Sequence, residues 1–316
     1  MIKITADFYK ILLKKFPFTP TQKQRELLNL LSIFIFNEEK ESLFLLKGYA
    51  GTGKTTTIST FVNTLSSAGK KAVLLAPTGR AAKVIAVYSK RPAFTIHKKI
   101  YFPKKQTNGS VDFILQPNKH RNTIFIVDEA SMIPDGRQNQ KMFESSSLLD
   151  DLISYVYSGH QCKLIFIGDT AQLPPVKLNV SPALEADILT YDYDKIVTEI
   201  ELDEVMRQHE NSGILANATQ LRLQLQNEGN KFQFDIDFPD ITRLIDGYDI
   251  EDALVMAYDR DGVEDTAFIV RSNKRANQYN QQIRSQIRGK ENEISTGDYI
   301  MVVKNNYYWL KESSII

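Results

Sequence analysis

Four short apolar runs each break off at a turn residue. They are Leu43-Phe44-Leu45-Leu46 before Gly48, Val73-Leu74-Leu75-Ala76 before Pro77, Ile124-Phe125-Ile126-Val127 before Asp128, and Leu164-Ile165-Phe166-Ile167 before Gly168. None alternates with polar residues, so each reads as a strand covered on both faces, as in a parallel sheet between helices. Between the first two, Ile58, Phe61, Val62 and Leu65 recur at helical spacing, and Gly69 stands where that helix should stop. Strand and helix in alternation predict an α/β domain of the doubly wound kind.

A second unit is expected from about Glu201. Ile214, Ala218, Leu221 and Leu225 predict a helix there, and Phe232, Phe234, Ile236 and Phe238 predict a strand of period two. A further apolar strand is expected at Ala267-Phe268-Ile269-Val270, followed by a polar helix reaching Arg284. A chain of 316 residues is long enough for two cores. It shows no internal repeat and no low-complexity linker.

Composition narrows the class. With 42% hydrophobic and 24% charged residues, the chain is neither disordered nor fibrous. Its single cysteine, Cys162, has no internal disulfide partner, and the opening MIKITADFYKILLKKF lacks the pattern of a secretion signal. The longest apolar runs are too short to span a bilayer, so a cytoplasmic location with no membrane partner is expected. The net charge of +1 conceals a segregation. From Arg80 to Arg121, ten cations (Arg80, Lys83, Lys90, Arg91, Lys98, Lys99, Lys104, Lys105, Lys119 and Arg121) face one acid, Asp112. Such a run is either a solvated lysine face or a polyanion contact that gains affinity by releasing counterions, and charge alone leaves both open.

The stretch Gly48-Tyr49-Ala50-Gly51-Thr52-Gly53-Lys54-Thr55 fits the phosphate-loop pattern and lies between a predicted strand and a predicted helix. Its glycines let backbone N–H groups curl around phosphates, Lys54 reaches the β- and γ-phosphates, and the Thr55 hydroxyl helps hold magnesium. Asp128 and Glu129 end the next apolar strand. One carboxylate there can bind magnesium, and a second beside it suggests hydrolysis, by orienting or deprotonating water. Gln172 lies past another strand end, on a loop stiffened by Pro174 and Pro175, where its amide can meet a γ-phosphate and the attacking water.

These elements together resemble the superfamily 1 helicases of the 5′ to 3′ branch, of the RecD-like and Dda-like kind. GYAGTGKT resembles motif I, LLAPTGRAAKVI (Leu74 to Ile85) motif Ia, and TIH (Thr95 to His97) the short DNA-contact motif. IVDEASMI (Ile126 to Ile133) resembles motif II, IGDTAQLPPV (Ile167 to Val176) motif III, and LDEVMRQ (Leu202 to Gln208) motif IV. FTPTQ (Phe18 to Gln22) looks like the adenine-reading glutamine motif. The resemblance covers most of the chain.

It implies a RecA-like P-loop NTPase domain with a parallel sheet over residues 1–97 and 122–200. A basic β-hairpin that separates strands would be inserted at 98–121, and a partial second RecA-like domain would occupy 201–316. Gln22 would read adenine, with Gly48, Gly51, Thr52, Gly53 and Thr56 joining Lys54 and Thr55 around ATP. Thr55 and Asp128 would hold Mg2+. Catalysis would fall to Lys54, Glu129, Gln172 as γ-phosphate sensor, and Arg207 as a cation supplied from the second domain. Pro77, Thr78, Arg80, Thr95, His97, Lys98 and Phe102 would contact DNA.

The hairpin has its own support in the sequence. Asn108-Gly109 is a strong hairpin turn, flanked by Tyr101 and Phe102 on one side and by Val111, Phe113 and Leu115 on the other. Interleaved aromatics and cations suit single-stranded DNA and duplex junctions as partners. The implied activity is ATP-dependent unwinding, and its rival is a nucleotide-switched loading ATPase that hydrolyses ATP without stepping. The family's last two motifs are not found before Ile316, so a truncated chain, or parts supplied from elsewhere, is expected.

Overall fold

The computed structural model describes residues 2–105, 111–134, 147–175, 178–204, 212–226 and 232–300. The chain enters through two helices, α1 (Ile2–Lys15) and α2 (Gln22–Phe36). Thr21 starts α2 as a capping box: its hydroxyl accepts from Gln24 N, while the Gln24 side chain accepts from Thr21 N at 3.1 Å. Then come β1 (Ser42–Gly48), α3 (Lys54–Thr64), β2 (Lys71–Ala76), α4 (Gly79–Ser89), β3 (Ala93–Thr95) and α5 (Ile96–Ile100). As its sequence predicts, α3 unwinds through a 3-10 turn into Gly69, whose φ of 66° is the left-handed conformation that ends helices.

The hairpin strands β4 (Tyr101–Lys105) and β5 (Val111–Leu115) pair antiparallel, with Phe102 opposite Ile114 and Lys104 opposite Asp112. Their Asn108-Gly109 turn lies outside the described residues. The first unit is completed by β6 (Thr123–Val127), α6 (Leu148–Tyr157), β7 (Lys163–Gly168), α7 (Ala186–Tyr191) and β8 (Ile196–Leu202).

Six strands form one sheet in the order β3-β2-β6-β7-β1-β8, and all its pairings are parallel. Alternate side chains feed two separate cores. Phe44, Leu46, Ile124, Ile126, Ile165 and Ile167 pack with α1, α2 and α3, whereas Leu43, Leu45, Phe125, Val127, Leu164 and Phe166 pack with α5 and α6. That two-sided burial is why the apolar runs do not alternate.

The chain divides into two compact units, Met1–Gln208 and His209–Ile316. Glu201 and Leu202, expected to open the second unit, instead end β8, where Leu202 pairs with Gly48. The second unit holds α8 (Gly213–Gln226), α9 (Gly247–Arg260) and α10 (Asn273–Gln282), which runs on as a π-helical turn, Ile283–Ile287. The expected helices are there, but the expected strands are not.

The span Phe232 to Phe238 is irregular because Asn217 of α8 satisfies its backbone. Asp235 N donates to Asn217 Oδ1 at 2.8 Å, and Asn217 Nδ2 donates to Asp235 O at 2.8 Å. Ala267 to Val270 has no strand to pair with among the described residues, and Phe268 packs edge-on against Tyr279 of α10. The described residues of this unit therefore form no second sheet. Among the described residues, no helix is long and apolar enough to cross a membrane.

One buried cation ties α2 to the sheet. Lys163, at the start of β7, donates from Nζ to Phe34 O at 2.9 Å and to Asn37 O at 2.7 Å, closing the carboxyl end of α2. Burial pushes its ammonium down to about 8, with Lys70 adding to the effect and Glu39 opposing it. A lysine in the unfolded chain keeps its proton to about 10.4, so between those values the unfolded chain binds the extra proton and stability from this group rises with pH. Lys163→Met is therefore expected to be less stable than the parent, by a margin that widens between about pH 7.5 and about pH 9.5 in urea unfolding.

Candidate active site

The strand order brings the candidate site residues to one edge of the sheet. β7 lies between β1 and β6, with Leu46 opposite Ile167 and Val127 opposite Phe166. The loop carrying Gln172 therefore leaves the sheet between the glycine-rich loop and Asp128-Glu129. On the other side of β6 comes β2, whose Ala76 is opposite Thr95 of β3, so Pro77-Thr78 and Thr95 emerge as neighbours. Ligands of open α/β sheets bind at this carboxyl edge.

The loop after β1 is held open by two glycines in the left-handed region, Gly51 at φ 81° and Gly53 at φ 86°. Gly53 offers no side-chain cap to α3, so the first N–H groups of that helix face outward as an anion site. Thr52 is buried and its hydroxyl donates to Tyr49 O at 2.8 Å. Gly48 cannot carry a side chain cheaply, because a Cβ there would lie 2.9 Å from Leu202 O of β8.

Lys54 folds back over this loop. Its Nζ donates to Tyr49 O at 2.8 Å and also to Gly48 O. Burial lowers its pKa, and the carboxylates of Asp169, Asp128 and Glu129 pull it back up. Asp128 is pushed up to about 6, first by burial and then by the charge of Glu129, against the Glu129 N–H bond at 3.0 Å and Lys54. Glu129 sits in the left-handed region at φ 54°, a strained geometry for a residue with a side chain.

A cleft of about 610 Å³ opens over this group. Lys54, Thr55, Thr56, Asp128, Glu129, Asp169 and Gln172 line its polar side, and Phe16, Phe18, Tyr49 and Val84 line its apolar side. That pairing suits a nucleotide, with phosphates over the loop and a base against the aromatics. The hydroxyl of Thr55 and the carboxylate of Asp128 are hard oxygen donors, which fits a nucleotide-bound Mg2+ that keeps several waters. Asp169 was not singled out in the sequence, although a second acid directly after a strand end was the signal for it.

Gln22, expected to read adenine, and its neighbour Gln24 differ in where they point. Gln22 is exposed at the first turn of α2 and does not line the cleft, whereas Gln24, two residues on, is buried and does. The capping box turns Gln24 inward, and its Nε2 donates to Thr52 O at 3.1 Å. In the sequence, this glutamine lies just two residues beyond the FTPTQ pattern.

The candidate DNA-contact residues fall on the β2–β3 side of the same edge. The Thr78 hydroxyl caps α4 by accepting from Ala81 N, and Thr95 caps α5 by accepting from Lys98 N. Arg80 and Lys98 are exposed, as is Phe102 on the hairpin. His97 is half-buried, and burial lowers its pKa, so it is neutral at pH 7. Lys99 departs from the solvated pattern, lying over the Phe94 ring at 5.5 Å. Arg207 lies outside the described residues.

Fold and site together define a RecA-like P-loop nucleotide-binding domain. Residues 23–234, about two thirds of the chain, match the family described as AAA domain. The ATP-dependent RecD2 DNA helicase of Deinococcus radiodurans is 33% identical over 135 residues, covering 42% of this chain and 16% of that protein. The ATP-dependent DNA helicase dda of Enterobacteria phage T4 is 30% identical over 205 residues, covering 64% of this chain and 42% of that one. A Pif1 helicase from Bacteroides, solved with ADP-AlF3 and single-stranded DNA, has a TM-score of 0.45 at 18% identity, over 93% of this chain and 61% of that one. The chain belongs to the AAA domain family. These alignments span less than half the length of either curated relative.

The cleft assigns the two glutamines different consequences. Gln24→Ala is expected to weaken ATP binding about tenfold in a fluorescent-nucleotide titration, because it frees the Thr52 carbonyl of the phosphate loop and removes a side chain that lines the cleft. Gln22→Ala should stay within about twofold, as an exposed residue away from the cleft.

Proposed function

We propose that the first unit is the ATP-hydrolysing motor of a DNA helicase that moves 5′ to 3′ on single-stranded DNA. The observation that carries this reading is the joining of Lys54, Gln172 and the Asp128-Glu129 pair in one cleft at the carboxyl edge of the sheet. The named activities of the RecD2 and dda relatives support it, since both are ATP-dependent DNA helicases.

In this reading, ATP enters with its phosphates over the N-terminus of α3. Lys54 leaves the carbonyls of Gly48 and Tyr49 for the β- and γ-phosphates, exchanging two neutral acceptors for charged ones. Thr55 and Asp128 hold Mg2+, which supplies charge neutralisation on the phosphates when bound. Glu129 orients the attacking water and accepts its proton. Gln172 reads the γ-phosphate, and Arg207 brings a second cation to it. Gln24 and Phe18 flank the base.

DNA runs along the neighbouring part of the edge, over Pro77, Thr78, Arg80, Thr95, His97 and Lys98. The β4–β5 hairpin, with Phe102 exposed, separates the duplex at a junction by offering an aromatic face to the first unpaired base.

Glu129→Gln is expected to bind ATP with near-parental affinity while losing hydrolysis, because only the proton acceptor goes. Lys54→Ala should lose both tight binding and turnover. Parental turnover in Glu129→Gln, measured by phosphate release, would contradict the role of Glu129. For DNA, replacing exposed Lys98 and Lys104 by Ala should reduce the log–log salt slope of single-strand binding by about 1.4, at about 0.7 per phosphate contact. An unchanged slope would return both to a solvated face.

A further inference from the structure

Gln172 is exposed on the loop after β7, fastened locally by its N–H bond to Asp169 O at 3.2 Å. Its side-chain tip, however, is held by a fully buried residue from a different loop. Ser131 lies on the 3-10 turn Ala130–Met132, immediately after Asp128-Glu129, and its hydroxyl donates to Gln172 Oε1 at 3.3 Å. The carbonyl of Ser131 in turn accepts from the hydroxyl of Ser181 at 3.0 Å, at the start of the 3-10 turn Pro182–Leu184. Two points on the β7–α7 connection, Gln172 and Ser181, thus meet the turn after β6 at Ser131.

An amide has one accepting and one donating end. With Oε1 anchored by Ser131, the NH2 is the end presented to a ligand, and its two donors suit a phosphate oxygen. A buried hydroxyl deprived of its acceptor is costly, so Ser131 resists rotation of Gln172 away from this pose. The geometry points to Ser131, backed by Ser181, as the positioning residue that presents Gln172 as a donor to the γ-phosphate and so sets the preference for ATP over ADP. This rests on the γ-phosphate role proposed for Gln172 and adds the group that orients it.

The test is a pair of dissociation constants, for Mg-ADP and for a non-hydrolysable Mg-ATP analogue, on the parent, Ser131→Ala, Gln172→Ala and the double variant. Loss of one positioned hydrogen bond should weaken the analogue about five- to tenfold in Ser131→Ala and leave ADP within about twofold. A packing defect would move both nucleotides alike. In the Gln172→Ala background, Ser131→Ala should add nothing.

Equal weakening of both nucleotides, or an undiminished Ser131 effect without Gln172, overturns the proposal. Gln172→Glu keeps the acceptor for Ser131 and removes the donor, so it should lose the ATP preference with no change at Ser131 at all. Retained preference in that variant also overturns it, even if Ser131→Ala does not fold. A parent that binds neither nucleotide would instead overturn the nucleotide site itself.

Discussion

The first unit turns on a charge balance at the end of the sheet. The Lys54 ammonium is drawn out of bulk water, bonded to two loop carbonyls, and pulled by Asp169, Asp128 and Glu129. A desolvated cation in such surroundings is held by neighbours that are themselves partly desolvated, as the raised Asp128 shows. The loop needs left-handed glycines to bring its carbonyls to Lys54, and the sheet needs its strand order to bring the carboxylates. In the proposed reading, phosphates entering the cleft replace the carbonyls as partners, and this exchange turns a folding feature into a binding one.

In the proposed reading, nucleotide and DNA chemistry share one sheet edge. Gln172, Asp128 and Pro77-Thr78 leave from strands that are successive neighbours, β7, β6 and β2, so the proposed γ-phosphate and DNA positions lie on adjacent loops. The Ser131 and Ser181 bonds add a link between two of those loops.

Much of this was legible in the sequence because it depends on local patterns. The unbroken apolar runs marked strands with two buried faces, and Gly69 marked the end of α3. The glycine-rich loop and the Asp128-Glu129 pair were placed by the strands before them. What stayed hidden depends on side-chain direction or on pairing at a distance. Gln24 and Gln22 differ only in which way the first turn of α2 faces, which the capping box decides. Ser131 and Ser181 are ordinary serines until the loops fold together. The strands expected around Phe234 and Phe268 had the right periodicity, but a strand exists only with a partner, and Asn217 provides the first of these segments with its hydrogen bonds instead.

The central claim, a nucleotide site coupled to DNA, is tested most directly by the rate of Mg-ATP hydrolysis with and without single-stranded DNA. Turnover that rises severalfold on adding single-stranded DNA, and whose rise fades with added salt, is the expected result. Turnover indifferent to DNA at every salt concentration would contradict it and leave a nucleotide switch in place of a motor.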